Sequence, residues 1–299
     1  MTIEKWTIER ILNWTQSHFE KVCPYSPRLD AELLLAYVLD CNRLDLYMRS
    51  DQPLNEKERG DYRELVKQRA AGCPIAYLTG EKDFWSLTLQ VSKATLIPRP
   101  ETETLVQTAV EQIRKWQNLH SEVTCKIAEL GTGTGAIPLA LCSELQNLNI
   151  ISVDCSAETL SVAARNLDIY KALISPRKNC LKLVESDLFS AIEPASKLDF
   201  IISNPPYIPT ETISTLQVDV FKYEPHIALD GGPDGLFFYN YLLKTSPSLL
   251  KKGGKMILEI GFNQEAELTS LQNKFSEWTS TSFLPDLHGN IRVCCLQLQ

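Results

Sequence analysis

Apolar and polar positions fall into two regimes along the 299-residue chain. Up to about residue 75 the spacing is helical. Leu12, Trp14 and Phe19 mark one helix, and Arg28 to Leu39 forms a strongly amphipathic second. A third, largely polar helix is predicted over Asn55 to Arg69 with Leu65 and Val66 inward, and Gly72-Cys73-Pro74 stops it. Phe84 to Val91 then alternates as a strand does, and Ala94 to Ile97 follows after a polar break, which predicts a β-hairpin linker. From Glu101 on, strand and helix patterns alternate. Strands are predicted at Cys125–Leu130, Ile150–Val153, Cys180–Val184, Phe200–Ser203, Lys255–Ile260 and Arg292–Gln297. Helices are predicted at Glu101–Gln117, Ala136–Leu145, Ala157–Leu167, Leu236–Leu250 and Gln264–Phe275. Repeated βα units imply a parallel sheet covered by helices on both faces. Trp278 to Gln299 holds two strand-like runs with no helix between them, so the sheet should end in an antiparallel pair.

This pattern divides the chain into a helical domain (1–80), a hairpin linker (81–98) and an α/β domain (99–299). Composition changes the picture little. At 44% hydrophobic and 22% charged the chain can build a core without staples. Its net charge of −7 and scattered Lys and Arg give no basic stripe, which counts against nucleic acid as substrate. Nine cysteines without a CxxC pair read as reduced buried thiols, and with four histidines at no ligand spacing no metal site is expected. Met1 to Lys5 opens no leader pattern, and no apolar run spans a membrane. A cytoplasmic protein without membrane contact is therefore expected, working as a monomer.

Candidate chemistry begins at Ile127 to Ala136, a strand entering Gly131-Thr132-Gly133-Thr134-Gly135 and then a helix. Glycines allow a tight turn and close approach of a ligand to backbone, and the helix beyond presents free N–H groups. Asp154, ending the next strand, can accept from ribose hydroxyls. Both features suit a dinucleotide as well as S-adenosylmethionine (SAM). Asp187 and Leu188 end a third strand, where they can accept from an adenine amino group and cover its ring.

Asn204-Pro205-Pro206-Tyr207 follows the buried strand Leu198 to Ser203 and separates these options. Two prolines fix φ and remove two donors, so the Pro205 carbonyl is rigidly held. Asn204 adds a side-chain carbonyl. Two fixed acceptors can grip both hydrogens of a planar NH2 and turn its nitrogen toward an incoming methyl, with Tyr207 as an aromatic wall. Such a site methylates an amide or an exocyclic amine of a base by orientation and electrostatics. A nicotinamide dehydrogenase has no use for it, so SAM is favoured.

The chain resembles the HemK/PrmC family of peptide chain release factor N5-glutamine methyltransferases. The resemblance rests on Pro74 to Gly80, Leu96 to Glu103, Glu129 to Ile137, Asn204 to Ile208, Glu224-Pro225, Ala228 to Leu236 and Leu258 to Gly261. It implies a class I SAM-dependent fold, a doubly wound, mostly parallel seven-stranded sheet, behind a small N-terminal helical domain and hairpin. It also implies methylation of the glutamine in a release factor's Gly-Gly-Gln loop. Carried over by position, Gly131, Thr132, Gly133, Thr134, Gly135, Asp154, Asp187 and Leu188 would hold SAM. Asn204 would contact both cofactor and glutamine, and Pro205, Pro206 and Tyr207 would complete the glutamine pocket, with Asn204, Pro205 and Tyr207 as the catalytic set. Relatives often carry Trp at Leu188 and a small residue at Pro138. Arg99, Glu101 and Glu103 would line the cofactor or partner entrance, or form salt bridges between domains. The rival substrates are adenine N6 in nucleic acid and a ribosomal-protein glutamine.

Overall fold

The computed structural model describes residues 6–23 and 25–299. Met1 to Lys5, read above for a leader pattern, lies outside the described residues. The described residues divide into two compact units, one of those up to 81 with 217–223, the other of 82–216 with 224–299.

The first unit holds α1 (Ile8–Val22), α2 (Pro27–Val38), α3 (Arg43–Met48), α4 (Glu56–Ala70) and α5 (Ile75–Thr79). Its core joins Ile8, Leu12 and Phe19 of α1 to Ala31, Leu34 and Leu35 of α2. In α4 the buried residues are Tyr62 and Val66, with Leu65 only partly buried, and Asn55 closes the helix start in a capping box with Glu58. α3 and α5 escape the sequence pattern because five or six residues cannot display a period. The fully buried Glu32 accepts from Arg28 and Arg43, each at 2.6 Å, and from the Tyr47 hydroxyl. A sixth helix, α9 (Val218–Tyr223), also belongs here, and the Tyr223 hydroxyl donates to the Ala71 carbonyl at 3.2 Å. The boundary at 99–299 therefore assigns 217–223 to the other unit from the one in which they pack.

From Lys82 the second unit holds the rest of β1 (Glu81–Phe84) and β2 (Leu87–Gln90), joined through Trp85 and Ser86. The hairpin is thus formed inside Glu81–Gln90. The expected partner strand at Ala94–Ile97 is a loop, held where Thr159 donates to the Ala94 carbonyl at 2.7 Å. Phe84, Leu87 and Leu89 enter the unit's core, so the segment 81–98 is structural rather than a free linker. The remaining elements are α6 (Thr102–Leu119), β3 (Cys125–Leu130), α7 (Ala136–Glu144), β4 (Leu148–Asp154), α8 (Ala157–Ile174), β5 (Cys180–Glu185), β6 (Leu198–Ser203), α10 (Phe237–Leu249), β7 (Leu250–Glu259), α11 (Glu265–Gln272), β8 (Trp278–Pro285) and β9 (Ile291–Leu298).

They build a seven-stranded sheet in the order β5-β4-β3-β6-β7-β9-β8. The first five strands run parallel, and β9 pairs antiparallel with both β7 and β8. The near-continuous burial of β3 and β6 is what a parallel strand covered on both faces requires. α6 and α7 cover one face over Ile127 and Phe200, and α10 covers the other over Ala128 and Ile201. Pro138 is the third residue of α7, where its missing N–H costs little.

Candidate active site

Chain order reverses beside β3: β4 and β5 lie on one side, β6 and β7 on the other. In an open α/β sheet the crevice at such a switch point, outside the carboxyl ends of the strands, is where ligands bind. Leu130 pairs with Val153 of β4 and with Ser203 of β6, so the glycine loop and Asn204 leave the sheet side by side. The Ser203 hydroxyl donates to the Leu130 carbonyl at 2.8 Å and ties the two strand ends together.

The loop after β3 is shaped by its glycines, with φ of +81° at Gly131 and +56° at Gly133. Gly131 N and Thr132 N donate to the Val153 carbonyl at 2.9 and 3.1 Å. Asp154 organises the next turn: its Oδ2 accepts from Gly133 N at 3.0 Å and its Oδ1 from Ser156 N at 3.1 Å. Each oxygen keeps a lone pair for a further donor. Burial pushes this carboxyl up, and the backbone donors at Gly133 and Ser156 pull it back.

The crevice is a cleft of 610 Å³. Gly131, Thr132, Gly133, Thr134, Asp154, Asp187, Leu188, Asn204, Pro205 and Pro206 all line it. Gly135 does not. It caps α7 at φ +81°, where a Cβ would meet Leu139 and Ala163. Asp187 is exposed, whereas Leu188 is half-buried at φ +52°. A leucine in the left-handed region is strained, and such strain gathers at ligand sites.

Tyr207 is not among the lining residues. Its ring packs with the core on the α10 face and its hydroxyl donates to Glu259 Oε1 at 3.4 Å. The aromatic wall on the cleft is supplied instead by Phe237 and Phe238 at the start of α10, with Ile227. Asn204 is oriented by its neighbours, since its Nδ2 donates to Thr102 Oγ1 at 3.1 Å. The described hydrogen bonds leave Asn204 Oδ1 and the Pro205 carbonyl without a donor, so both remain open acceptors.

The loop is braced from below by Asp230 to Gly235. Ile208 N donates to the Leu229 carbonyl and Gly231 N to the Ile208 carbonyl. Gln264 Nε2 donates to the Tyr207 carbonyl at 3.1 Å. A Cβ on Gly231 would sit 2.7 Å from Tyr207 Cα, so only glycine allows this approach. Arg99 lines the cleft and is paired with the buried Glu224 of the same unit, which also accepts from Ile97 N at 3.1 Å. Glu103 accepts from Trp85 N at 2.8 Å and anchors the hairpin.

Two buried acids were not singled out by sequence. Glu129 is 1% exposed and neither carboxylate oxygen has a hydrogen-bond partner; burial raises it well above the carboxylate range. Glu259, at the end of β7, is equally buried. The available signal was an acid interrupting an apolar strand just before a glycine turn, in Ile127-Ala128-Glu129-Leu130-Gly131 and Ile257-Leu258-Glu259-Ile260-Gly261. Thr132, lining the cleft, also has an unpartnered hydroxyl. Unpartnered acceptors, a glycine cradle and an acid placed for ribose hydroxyls fit SAM, whose amino-acid end brings donors and positive charge.

Residues 10–80 match the family described as PrmC N-terminal domain, and residues 116–227 match the methyltransferase small domain. The chain is 37% identical over 292 residues to the release factor glutamine methyltransferase of Rhodopirellula baltica, covering 98% of this chain and 96% of that protein. It is 39% identical over 266 residues to the release factor glutamine methyltransferase of Xylella fastidiosa strain 9a5c, covering 89% and 91%. Among solved structures, the hMettl16 catalytic domain matches with a TM-score of 0.54 at 14% identity, covering 79% of this chain and 82% of that one. At that identity the likeness is one of fold alone.

Proposed function

The chain belongs to the family of release factor glutamine methyltransferases, and from that premise we infer that it methylates the side-chain nitrogen of a release-factor glutamine with SAM as donor. The observation that carries the reading is the pair of open acceptors, Asn204 Oδ1 and the Pro205 carbonyl, on residues that line one cleft with the glycine loop.

SAM, when bound, would supply a sulfonium-activated methyl group, its carbon–sulfur bond breaking to leave a neutral thioether as the nitrogen–carbon bond forms. The protein's part is orientation. Asn204 and Pro205 take the two amide hydrogens and turn the nitrogen's π face toward the methyl. Pro206, Phe237 and Phe238 keep water from the reacting atoms. The amide nitrogen loses one proton as the new bond forms, and water takes it. Tyr207 serves this site through Glu259 rather than as a wall against the substrate. Glu129, Thr132 and Asp154 are the chain's own groups for the donor's amino-acid and ribose ends, and Asp187 and Leu188 for its adenine.

The glutamine is read as that of a Gly-Gly-Gln loop, because two glycines give a backbone slim enough to carry the side chain into the cleft. The enzyme is read as a cytoplasmic monomer that acts on protein, not nucleic acid; a net charge of −7 supports this. Among the described residues no helix is long and apolar enough to cross a membrane.

The reading is tested by incubating the protein and SAM with release factor, ribosomal proteins and DNA together, followed by mass spectrometry. A 14-dalton gain on the Gly-Gly-Gln glutamine is expected (order of one CH2 group). Label on DNA or ribosomal protein alone overturns it. Asp154→Ala removes acceptors for the ribose. Hydrogen bonds to a charged group are worth about 1.5–3 kcal/mol, so SAM affinity by calorimetry should fall roughly 10- to 150-fold.

A further inference from the structure

A run of polar groups adjoins Asn204, beginning with Thr102 on the cleft's lining, and orientation by Asn204 and Pro205 alone leaves it without a task. Asn204 Nδ2 donates to Thr102 Oγ1. Thr102 opens α6 and is 5% exposed. A hydroxyl carries one proton, so an oxygen that accepts from Asn204 must send its own proton elsewhere. Glu259 is placed to receive it. Leu258 pairs with Ser203, so Glu259 stands level with Asn204 at the sheet's edge. No described hydrogen bond closes between Thr102 and Glu259; the Thr102 hydroxyl favours the ionised form of this carboxyl, and the buried, unpartnered Oε2 is the acceptor open to it. Tyr207 donates to Oε1, while Oε2 is buried and makes no closed hydrogen bond.

We propose that Glu259 is a positioning residue for the methyl transfer: by drawing the Thr102 proton it makes Thr102 an obligate acceptor, which locks the Asn204 amide with Nδ2 turned away and Oδ1 turned to the substrate. The proposal rests on the reading of Asn204 as the acceptor for a substrate NH2. Without the carboxylate, Thr102 is free to donate to Asn204 instead. The amide then flips and presents its own NH2 to the substrate's NH2, donor against donor.

The charge on Glu259 is therefore what matters. The groups around it are Thr102 and Glu101 at the head of α6, Tyr207 after β6, Arg292 on β9, and Tyr239 on α10, whose hydroxyl donates to the Glu259 backbone carbonyl at 3.0 Å. Burial pushes the carboxyl up to about 7, against the pull of Thr102, Arg292 and Tyr207 and with a small push from Glu101. Once protonated it donates to Thr102 rather than accepting from it. Turnover should thus be full above this midpoint and fall as pH drops through it.

The test compares Glu259→Ala, Glu259→Gln, Thr102→Val, Thr102→Ser and the double variant Glu259→Ala/Thr102→Val, with melting curves to confirm folding. Misorientation by about an ångström costs roughly 100-fold, so Glu259→Ala and Thr102→Val should each lose kcat on that scale while SAM affinity stays within about twofold. Thr102→Ser should restore turnover, and the double variant should be no worse than the singles, because both act through one amide. Glu259→Gln should flatten the acid limb. The Asn204 side-chain 15N–1H pair, identified by its loss in Asn204→Ala, should titrate near pH 7 in wild type and not in Glu259→Gln. This resonance needs no substrate, so it reads the network even where the release-factor reading fails. Wild-type kcat in Glu259→Ala, multiplicative losses in the double variant, or an acid limb surviving in Glu259→Gln overturns the proposal.

Discussion

Asn204→Ala should lower kcat by about 100- to 1,000-fold, the range for removing one preorganised hydrogen-bonding group from a transition state. The amide is a poor nucleophile, because its lone pair is conjugated with the carbonyl. Turnover depends on holding that nitrogen still against the methyl, and in the proposed mechanism Asn204 Oδ1 is one of the two fixed acceptors that do so. The side chain is also held by Thr102 at 3.1 Å, so it loses little freedom when substrate arrives. Alanine leaves the Pro205 carbonyl alone, and one acceptor cannot fix the rotation of an NH2 group. The glycine loop and Asp154 are untouched by the change, so SAM binding should survive largely intact. Single-turnover kinetics with calorimetry separates the two effects. Full activity in Asn204→Ala would remove the orienting role, and a parallel collapse of SAM affinity would make Asn204 mainly a cofactor ligand.

The second large effect is expected far from the reacting atoms. Gly235→Ala should destabilise the protein by about 2–4 kcal/mol: roughly 1–2 for a side chain in the left-handed region, plus about 1–2 for a broken buried hydrogen bond. Gly235 sits at φ +74°, and a Cβ there falls 2.5 Å from the Tyr207 carbonyl oxygen and 2.9 Å from Gln264 Nε2. The methyl wedges into the hydrogen bond that braces the loop carrying Asn204 and Pro205. Activity should fall more than the unfolded fraction explains, because the loop shifts in molecules that remain folded. Urea denaturation measures the first quantity, and kcat corrected for folded protein the second. A variant as stable and active as wild type would show that Asp230 to Gly235 does not brace the loop. Gly60, whose Cβ would meet nothing within 4 Å, is the control glycine.

These two residues differ in how they could be found. Asn204 stood out in the sequence because two prolines following a buried strand of a glycine-loop domain are an unusual choice, suited to holding a planar NH2 group. Gly235 was visible only as part of a family resemblance; that it carries the Tyr207 carbonyl on its back is a contact across 28 positions of chain, and no local pattern encodes it. The hairpin shows the same limit from the other side. Alternation at Phe84 to Val91 suggested a single strand, yet the turn falls inside it at Trp85 and Ser86. Alternation identifies extended backbone and says nothing about where it reverses. Tyr207 was placed on the cleft because it follows the prolines; its direction is set by Glu259, a partner 52 residues away.

The parallel sheet, the antiparallel pair at its end, the glycine turn with its downstream acid and the two prolines after Asn204 could all be read from local pattern. Each is written in a span of 4 to 18 residues or so, where hydrophobic period and φ restriction act locally. Which groups stand beside Asn204 depends on packing between distant segments. Thr102, Asn204 and Glu259 are brought level by strand register and by the packing of α6 on the sheet. Register follows from pairing between distant segments, and burial shifts a carboxylate only once those segments have closed over it.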